Sequence, residues 1–242
     1  MIAFLFPGQG SQFAGFLHTL GGATPHARIA ETIEEASDVL HTDVLSLDHA
    51  DALSSTVAVQ LSLLVAGVAT VRALHDEGIV PDGVAGLSVG AYGAAVACDA
   101  LPFSDALQLL QLRAQLMERA YPHGYGMLAV SGLSERELDA AIADAHTQAA
   151  YIANLNAPRQ IVLAGANVDL DHVSKRALEA GARKAERLAV SVPSHCVLLD
   201  DAARELAEAA SKIAFHAPTI PYISNRGARP CLLYTSDAAD DL

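Results

Sequence analysis

Val84 to Cys98 reads VAGLSVGAYGAAVAC: an apolar run, then Gly86-Leu87-Ser88-Val89-Gly90, then small residues. This is the pattern of a nucleophile elbow, a serine on a tight strand-to-helix turn with its hydroxyl pushed into a cleft. A serine in strained dihedrals needs neighbours without side chains, which Gly86 and Gly90 supply. Gly93, Ala94 and Ala95 let the following helix pack closely under the turn, and its start aims N–H groups at a developing oxyanion. A second residue with chemical potential is Arg113. Three and four positions either way stand Leu109, Leu110, Leu116 and Met117, so no carboxylate on the same helix can pair with it. A guanidinium on an apolar helix face needs a bound anion or a buried ion pair.

The elements that must position these groups follow from pattern. Ile2 to Phe6 is an apolar run ended by Pro7-Gly8, read as a buried strand delivering a loop. Ala27–Leu40 and Thr56–His75 read as helices, Gly83–Leu87 as a central strand and Gly90–Cys98 as a helix. Ser104 is the expected N-cap of a helix reaching Ala120. From Gly124 the rhythm changes. Met127–Ser131 reads as a strand, Ser134–Ala145 as a helix, Tyr151–Asn156 and Gln160–Ala164 as a hairpin, Val168–Ala180 as a helix and Ala185–Val190 as a strand. That βαββαβ order is ferredoxin-like. The expected organisation is an α/β core with a parallel sheet (1–123 and 191–230) interrupted by a small subdomain (124–190).

Composition narrows the class. Of 242 residues, 52% are hydrophobic but only 5% aromatic, so the core must rest on Ala, Leu and Val packed at short range. The net charge of −13 argues against nucleic-acid binding through a general positive field. Cys98, Cys196 and Cys231 lack metal-ligand spacing and point to a reduced, cytoplasmic protein without a metal. The opening MIAFLFPGQG has no basic region or cleavage site of a signal peptide. Val57–Leu74 is the most apolar stretch, yet Gln60, Ser62, Thr70 and Arg72 interrupt it, so a buried helix is expected there and not a membrane span.

The last residues stand apart. Cys231 to Asp241 reads CLLYTSDAADD, which resembles a translated sequencing adapter. The expectation is a non-native tail over 231–242 and a core shortened at its C-terminus; an ordinary acidic tail is the alternative.

Four segments converge in order: Phe6-Pro7-Gly8-Gln9-Gly10-Ser11-Gln12, the elbow, Gln111-Leu112-Arg113, and Val192-Pro193-Ser194-His195-Cys196. Together they resemble the malonyl-CoA:acyl carrier protein transacylases over nearly everything up to Pro230. The resemblance implies a hydrolase-like α/β core with a ferredoxin-like subdomain. At the elbow this chain departs from the usual G-H-S-x-G-E, with Leu87 before the serine and Ala91 after Gly90. That variant resembles the malonyl transacylase subunit of malonate decarboxylase.

The resemblance assigns roles by position. Ser88 attacks the thioester; His195, selected among ten histidines by the P-S-H-C match, is its base. Arg113 holds the malonyl carboxylate with a planar fork. The N–H groups of Gln9 and Val89 form the oxyanion hole. Gln60 either lines the pocket or caps buried backbone groups. Lys175, Arg176, Arg183, Lys184 and Arg187 form either a solvated helix face or a docking patch for an acidic carrier protein. The implied substrates are malonyl-CoA and an acyl carrier protein, in the narrower reading the carrier subunit of malonate decarboxylase, with no resident cofactor. A serine hydrolase or thioesterase, and an inactive truncated fragment, are the competing readings.

Overall fold

The computed structural model of the chain describes residues 1–24, 26–225 and 227–231; the tail from 232 onward, with most of the segment read as foreign, lies outside the described residues. In chain order the elements are β1 (Ala3–Phe6), α1 (Ala27–Leu40), α2 (Thr56–Asp76), β2 (Gly83–Gly86), α3 (Gly90–Ala97) and α4 (Phe103–Ala120). Then come β3 (Tyr125–Ser131), α5 (Glu135–Asp144), β4 (Ala150–Ala157), β5 (Gln160–Ala166), α6 (Asn167–Glu179) and β6 (Lys184–Arg187). α7 (Asp200–Ala210), β7 (Tyr222–Ile223) and β8 (Pro230–Cys231) complete the described chain. Contacts divide it into two units: Met1–Gln115 with the described residues from Glu205 on, and Leu116–Arg204.

The first unit is built on β1, β2 and β7, paired in parallel, with β8 antiparallel at the end of β7. Register puts Phe4, Val84 and Tyr222 on one face and Leu5, Ala85 and Ile223 on the other. α2 is apolar almost all round, as a helix inside a core must be, and it packs against α1 and α3. It is the one described helix long and apolar enough to cross a membrane, but Leu61, Leu64, Val65 and Val68 are core residues. Phe6 lies against the backbones of Gly67 in α2 and Gly93 in α3, where a Cβ would stand 3.0 Å and 2.6 Å from its ring. Among the described residues only that face of β1 is covered. Leu5 is 75% exposed, so the expectation of a buried strand over Ile2–Phe6 is corrected. An apolar run of five residues does not say how many of its faces will find a neighbour.

α4 begins two residues earlier than an N-cap at Ser104 would place it, because the Ala106 N–H bonds to the Pro102 carbonyl at 2.9 Å. Ser104 therefore sits within the first turn and does not cap it.

The second unit carries β3, β4, β5 and β6 as an antiparallel sheet in the order β4-β5-β3-β6, the ferredoxin-like arrangement of a βαββαβ chain. α5 and α6 bury Leu138, Leu170 and Val173 against Leu128, Ile161 and Leu163 of the sheet. Ser134 starts α5 with a reciprocal capping box: its hydroxyl accepts from the Glu137 N–H, while its own N–H donates to Glu137 at 2.7 Å. Those bonds from Ser134 hold the Glu137 carboxyl below its ordinary value. This unit also takes in the end of α4 and the V-P-S-H segment, which the sequence reading had given to the larger domain. The cause is local: Val192 and Leu199 pack with Met117, Tyr121 and Val190.

Candidate active site

Ser88 sits between β2 and α3 with φ +53°, a left-handed conformation that costs a non-glycine residue about 1–2 kcal/mol. His41, Asp99 and His146 adopt similar angles, but at helix ends, where such residues are ordinary. Ser88 joins a strand to a helix, so the strain belongs to the elbow itself. The flanking glycines are required by space. A Cβ on Gly86 would meet the Gly90 backbone at 2.1 Å, and one on Gly90 would meet the Phe6 carbonyl oxygen at 2.2 Å and that of Pro7 at 2.9 Å.

The contact of Gly90 with Phe6 and Pro7 also seats the Pro-Gly-Gln-Gly loop on the elbow. The Leu87 N–H donates to the Phe6 carbonyl at 2.9 Å, and Asn225 at the end of β7 donates its amide to the Gly86 carbonyl at 2.6 Å. The sequence offered no cue to Asn225, which lies 139 positions from its partner. Gly90→Ala is accordingly expected to cost at least about 3 kcal/mol, because both obstructing atoms are backbone. That corresponds to a thermal midpoint lower by roughly 6–12 °C. An unchanged melt would show that the loop does not rest on the elbow.

A chain of polar side chains runs from the loop to the nucleophile. Gln60, on α2 and fully buried, donates to the Gln9 side-chain oxygen at 3.4 Å. The Gln60 oxygen accepts from Arg113 Nη1 at 2.6 Å, and Arg113 Nη2 donates to Ser88 Oγ at 3.1 Å. Because a guanidinium only donates, the Gln60 amide must face it with its oxygen, leaving its NH₂ for Gln9. Arg113 is 8% exposed, and burial holds its pKa below the ordinary value. An anion beside it would act in the opposite sense. Tyr92 lies one turn after Ser88, wholly buried; burial pushes its phenol well above the usual range, despite the nearby Arg113 charge.

Gln9, Gln60, Ser88, Val89 and Arg113 thus belong to one unit and, with Val89 next to the serine, surround one point of it. Among the described residues, neither the Gln9 N–H nor the Val89 N–H is bonded to an acceptor. An oxyanion hole requires backbone donors that no protein acceptor occupies. The Gln60 side chain meets the side chains of Gln9 and Arg113.

His195 belongs to the second unit. Val192 to Cys196 is a tight turn, with the Ser194 N–H bonded to the Val192 carbonyl at 3.0 Å and the Cys196 thiol to the Pro193 carbonyl at 3.3 Å. It holds His195 exposed with φ +60°, just before the 3-10 turn Val197–Leu199. In the basic cluster, Arg176 pairs with Glu179 and Lys184 with Glu186, both at 2.7 Å, while Arg187 donates to Asn167. Neighbouring acids thus offset part of its charge. Among the described residues no three His, Cys, Asp or Glu side chains gather as a metal site.

Residues 3–240 match the model of the acyl transferase domain family. The chain is similar to the malonyl CoA-acyl carrier protein transacylase of Escherichia coli K12, with 38% identity over 229 residues, covering 92% of this chain and 74% of the relative. Among solved structures it resembles the malonyl-CoA:acyl carrier protein transacylase of Xanthomonas oryzae pv. oryzae, with a TM-score of 0.91, 39% identity and coverage of 99% and 77%. It also resembles a malonyl-transacylase solved in complex with a type II polyketide-synthase acyl-carrier protein, with a TM-score of 0.91, 36% identity and coverage of 100% and 80%.

Proposed function

Since the chain belongs to the acyl transferase family, we propose that it moves a malonyl group from coenzyme A to the thiol of an acyl carrier protein, through a malonyl ester on Ser88. The observation that carries this reading is the Arg113 guanidinium, buried and bonded to both Gln60 and the Ser88 hydroxyl. A buried cation at 3.1 Å from the nucleophile suits an acyl group that brings its own negative charge.

In the proposed reaction Ser88 Oγ attacks the thioester carbonyl and gives its proton to a base. His195 keeps the role of base that the V-P-S-H resemblance implies. The tetrahedral oxyanion is met by the N–H groups of Gln9 and Val89, and each such donor is worth about 3–4 kcal/mol to the transition state. Collapse breaks the C–S bond, and coenzyme A leaves as the thiol with the proton returned by the base. The carrier thiol then attacks the ester by the same steps in reverse order. The carboxylate of the malonyl group is held by the Arg113 guanidinium. No resident cofactor takes part in these steps.

The narrower proposal is that the acceptor is the carrier subunit of a malonate decarboxylase, supported by Leu87 and Ala91 in place of polar flanks at the elbow. The test is an intact-mass time course after brief exposure to malonyl-CoA. One malonyl adduct is expected, stable in buffer and discharged when the carrier protein in its thiol-bearing form is added. Discharge by water at the same rate with and without carrier would identify a thioesterase instead. Comparing a fatty-acid-type carrier with a malonate decarboxylase carrier subunit decides the narrower proposal.

A further inference from the structure

A buried carboxylate that the reaction does not use lies beyond the Gln9 loop. Asp48 ends a short 3-10 turn (Val44–Asp48) and is 0% exposed. Its Oδ2 accepts the N–H groups of Leu17 at 2.7 Å and His18 at 3.3 Å. Its Oδ1 lies 2.8 Å from His18 Nδ1, and its backbone carbonyl accepts the Gly15 N–H at 2.9 Å. One residue therefore makes four hydrogen bonds to Gly15, Leu17 and His18, about thirty positions away in sequence. The His49 ring tilts against that of His18, with centroids 5.6 Å apart.

We propose that Asp48 is a positioning residue for acyl transfer, its carboxylate fixing the far end of the loop that carries Gln9. The near end is fixed at Phe6, whose carbonyl takes the Leu87 N–H. Between the two ends the loop is braced by short-range bonds: Ser11 Oγ to the Gly8 carbonyl at 3.1 Å and the Gly10 N–H to the Gln12 side chain at 2.7 Å. Those bonds hold the loop's shape but not its place. Its place is set by the elbow on one side, by Asp48 on the other and, at the Gln9 side chain, by the 3.4 Å bond from Gln60. An oxyanion donor must reach the transition state within a few tenths of an ångström, so a slack far end acts on the rate and not on binding. The proposal rests on the reading of Gln9 as such a donor.

Charge and anchoring can be separated. In Asp48→Asn the amide oxygen can accept from Leu17 and His18 while its NH₂ donates to His18 Nδ1 in the other tautomer, so every bond survives without the charge. Asp48→Ala leaves only the backbone bond to Gly15. Saturating rates of Ser88 acylation by malonyl-CoA are measured by rapid quench and intact mass, at a temperature where circular dichroism shows each variant folded. Asp48→Ala is expected to acylate about 10- to 100-fold more slowly with half-saturation within about twofold of the parent, and Asp48→Asn to stay within about threefold in both. A parental saturating rate in folded Asp48→Ala, or a loss confined to half-saturation, overturns the proposal. If Asp48→Ala does not fold, His18→Ala decides. That change removes the Oδ1 contact and the ring contact with His49; it should slow the saturating rate by more than about threefold, and a rate within about threefold of the parent again overturns the role. A parent chain that forms no adduct at all sinks the acyl-transfer reading and this one together, whereas an acylated parent with an unslowed Asp48→Ala sinks only the role of Asp48.

Discussion

Ser88→Ala and Ser88→Gly are both expected to form no malonyl adduct, with acyl transfer reduced by a factor on the order of 10⁴ to 10⁶. Removing a nucleophile leaves only the residual assistance of the oxyanion donors and of substrate binding. The pair is more informative than either variant alone because Ser88 sits at φ +53°. Alanine keeps the strain of the left-handed conformation, whereas glycine relieves about 1 kcal/mol of it. The glycine variant should therefore melt a few degrees above the alanine variant while being equally inactive. Intact mass reads the adduct, and a thermal scan reads the fold. Two of the three cysteines are poor competitors for the acyl group: Cys98 is fully buried with its thiol pushed up to about 11 by that burial, and burial raises Cys196 as well. A malonyl adduct that persists in either Ser88 variant would place the nucleophile elsewhere.

Arg113→Ala is expected to lower malonyl transfer by roughly 10²- to 10³-fold while changing acetyl transfer by less than about tenfold. The basis is the loss of a buried, charge-assisted contact, which typically costs about 2–5 kcal/mol when one partner is removed. An acetyl group has no carboxylate and cannot lose what it never made. Arg113→Lys should recover only part of the malonyl rate, since an ammonium cannot offer the planar fork while also bonding Gln60 and Ser88. Arg113→Ala also removes the 2.6 Å bond that the fully buried Gln60 oxygen accepts. That adds a stability cost of about 1–3 kcal/mol, visible as a lower melting temperature. Equal losses for malonyl and acetyl substrates would remove Arg113 from carboxylate binding and leave it a structural brace for Gln60.

Much of this was legible before any coordinates, because it is written in short stretches of chain. The elbow was readable because only glycine fits at positions 86 and 90, where a Cβ would stand 2.1 Å and 2.2 Å from backbone. The start of α5 was readable because Ser134 and Glu137 satisfy each other's backbone within three residues. The ferredoxin-like order followed from the alternation of periods two and 3.6 between positions 125 and 187. Reading failed where the answer depended on a distant neighbour. Leu5 looked like a core residue and is 75% exposed, since no local pattern says that α2 and α3 cover only the Phe6 face of β1.

The sequence by itself determined which groups could do chemistry here: a strained serine between obligatory glycines, an arginine without a carboxylate on its own helix, and a histidine in a Pro-Ser-His-Cys turn. The serine and the arginine follow from backbone dihedrals and helical spacing, which act over a few residues and leave local marks, whereas the histidine was singled out by the resemblance of its P-S-H-C segment. Only the tertiary structure decided that Arg113 bonds Gln60 and Ser88, 53 and 25 positions away, that Gln60 bonds Gln9 across 51, and that Asp48 anchors Leu17 across 31. Hydrogen bonds over such separations are fixed by which elements fold against one another, which no local pattern records. The same side chains in another packing would be ordinary solvated polar residues.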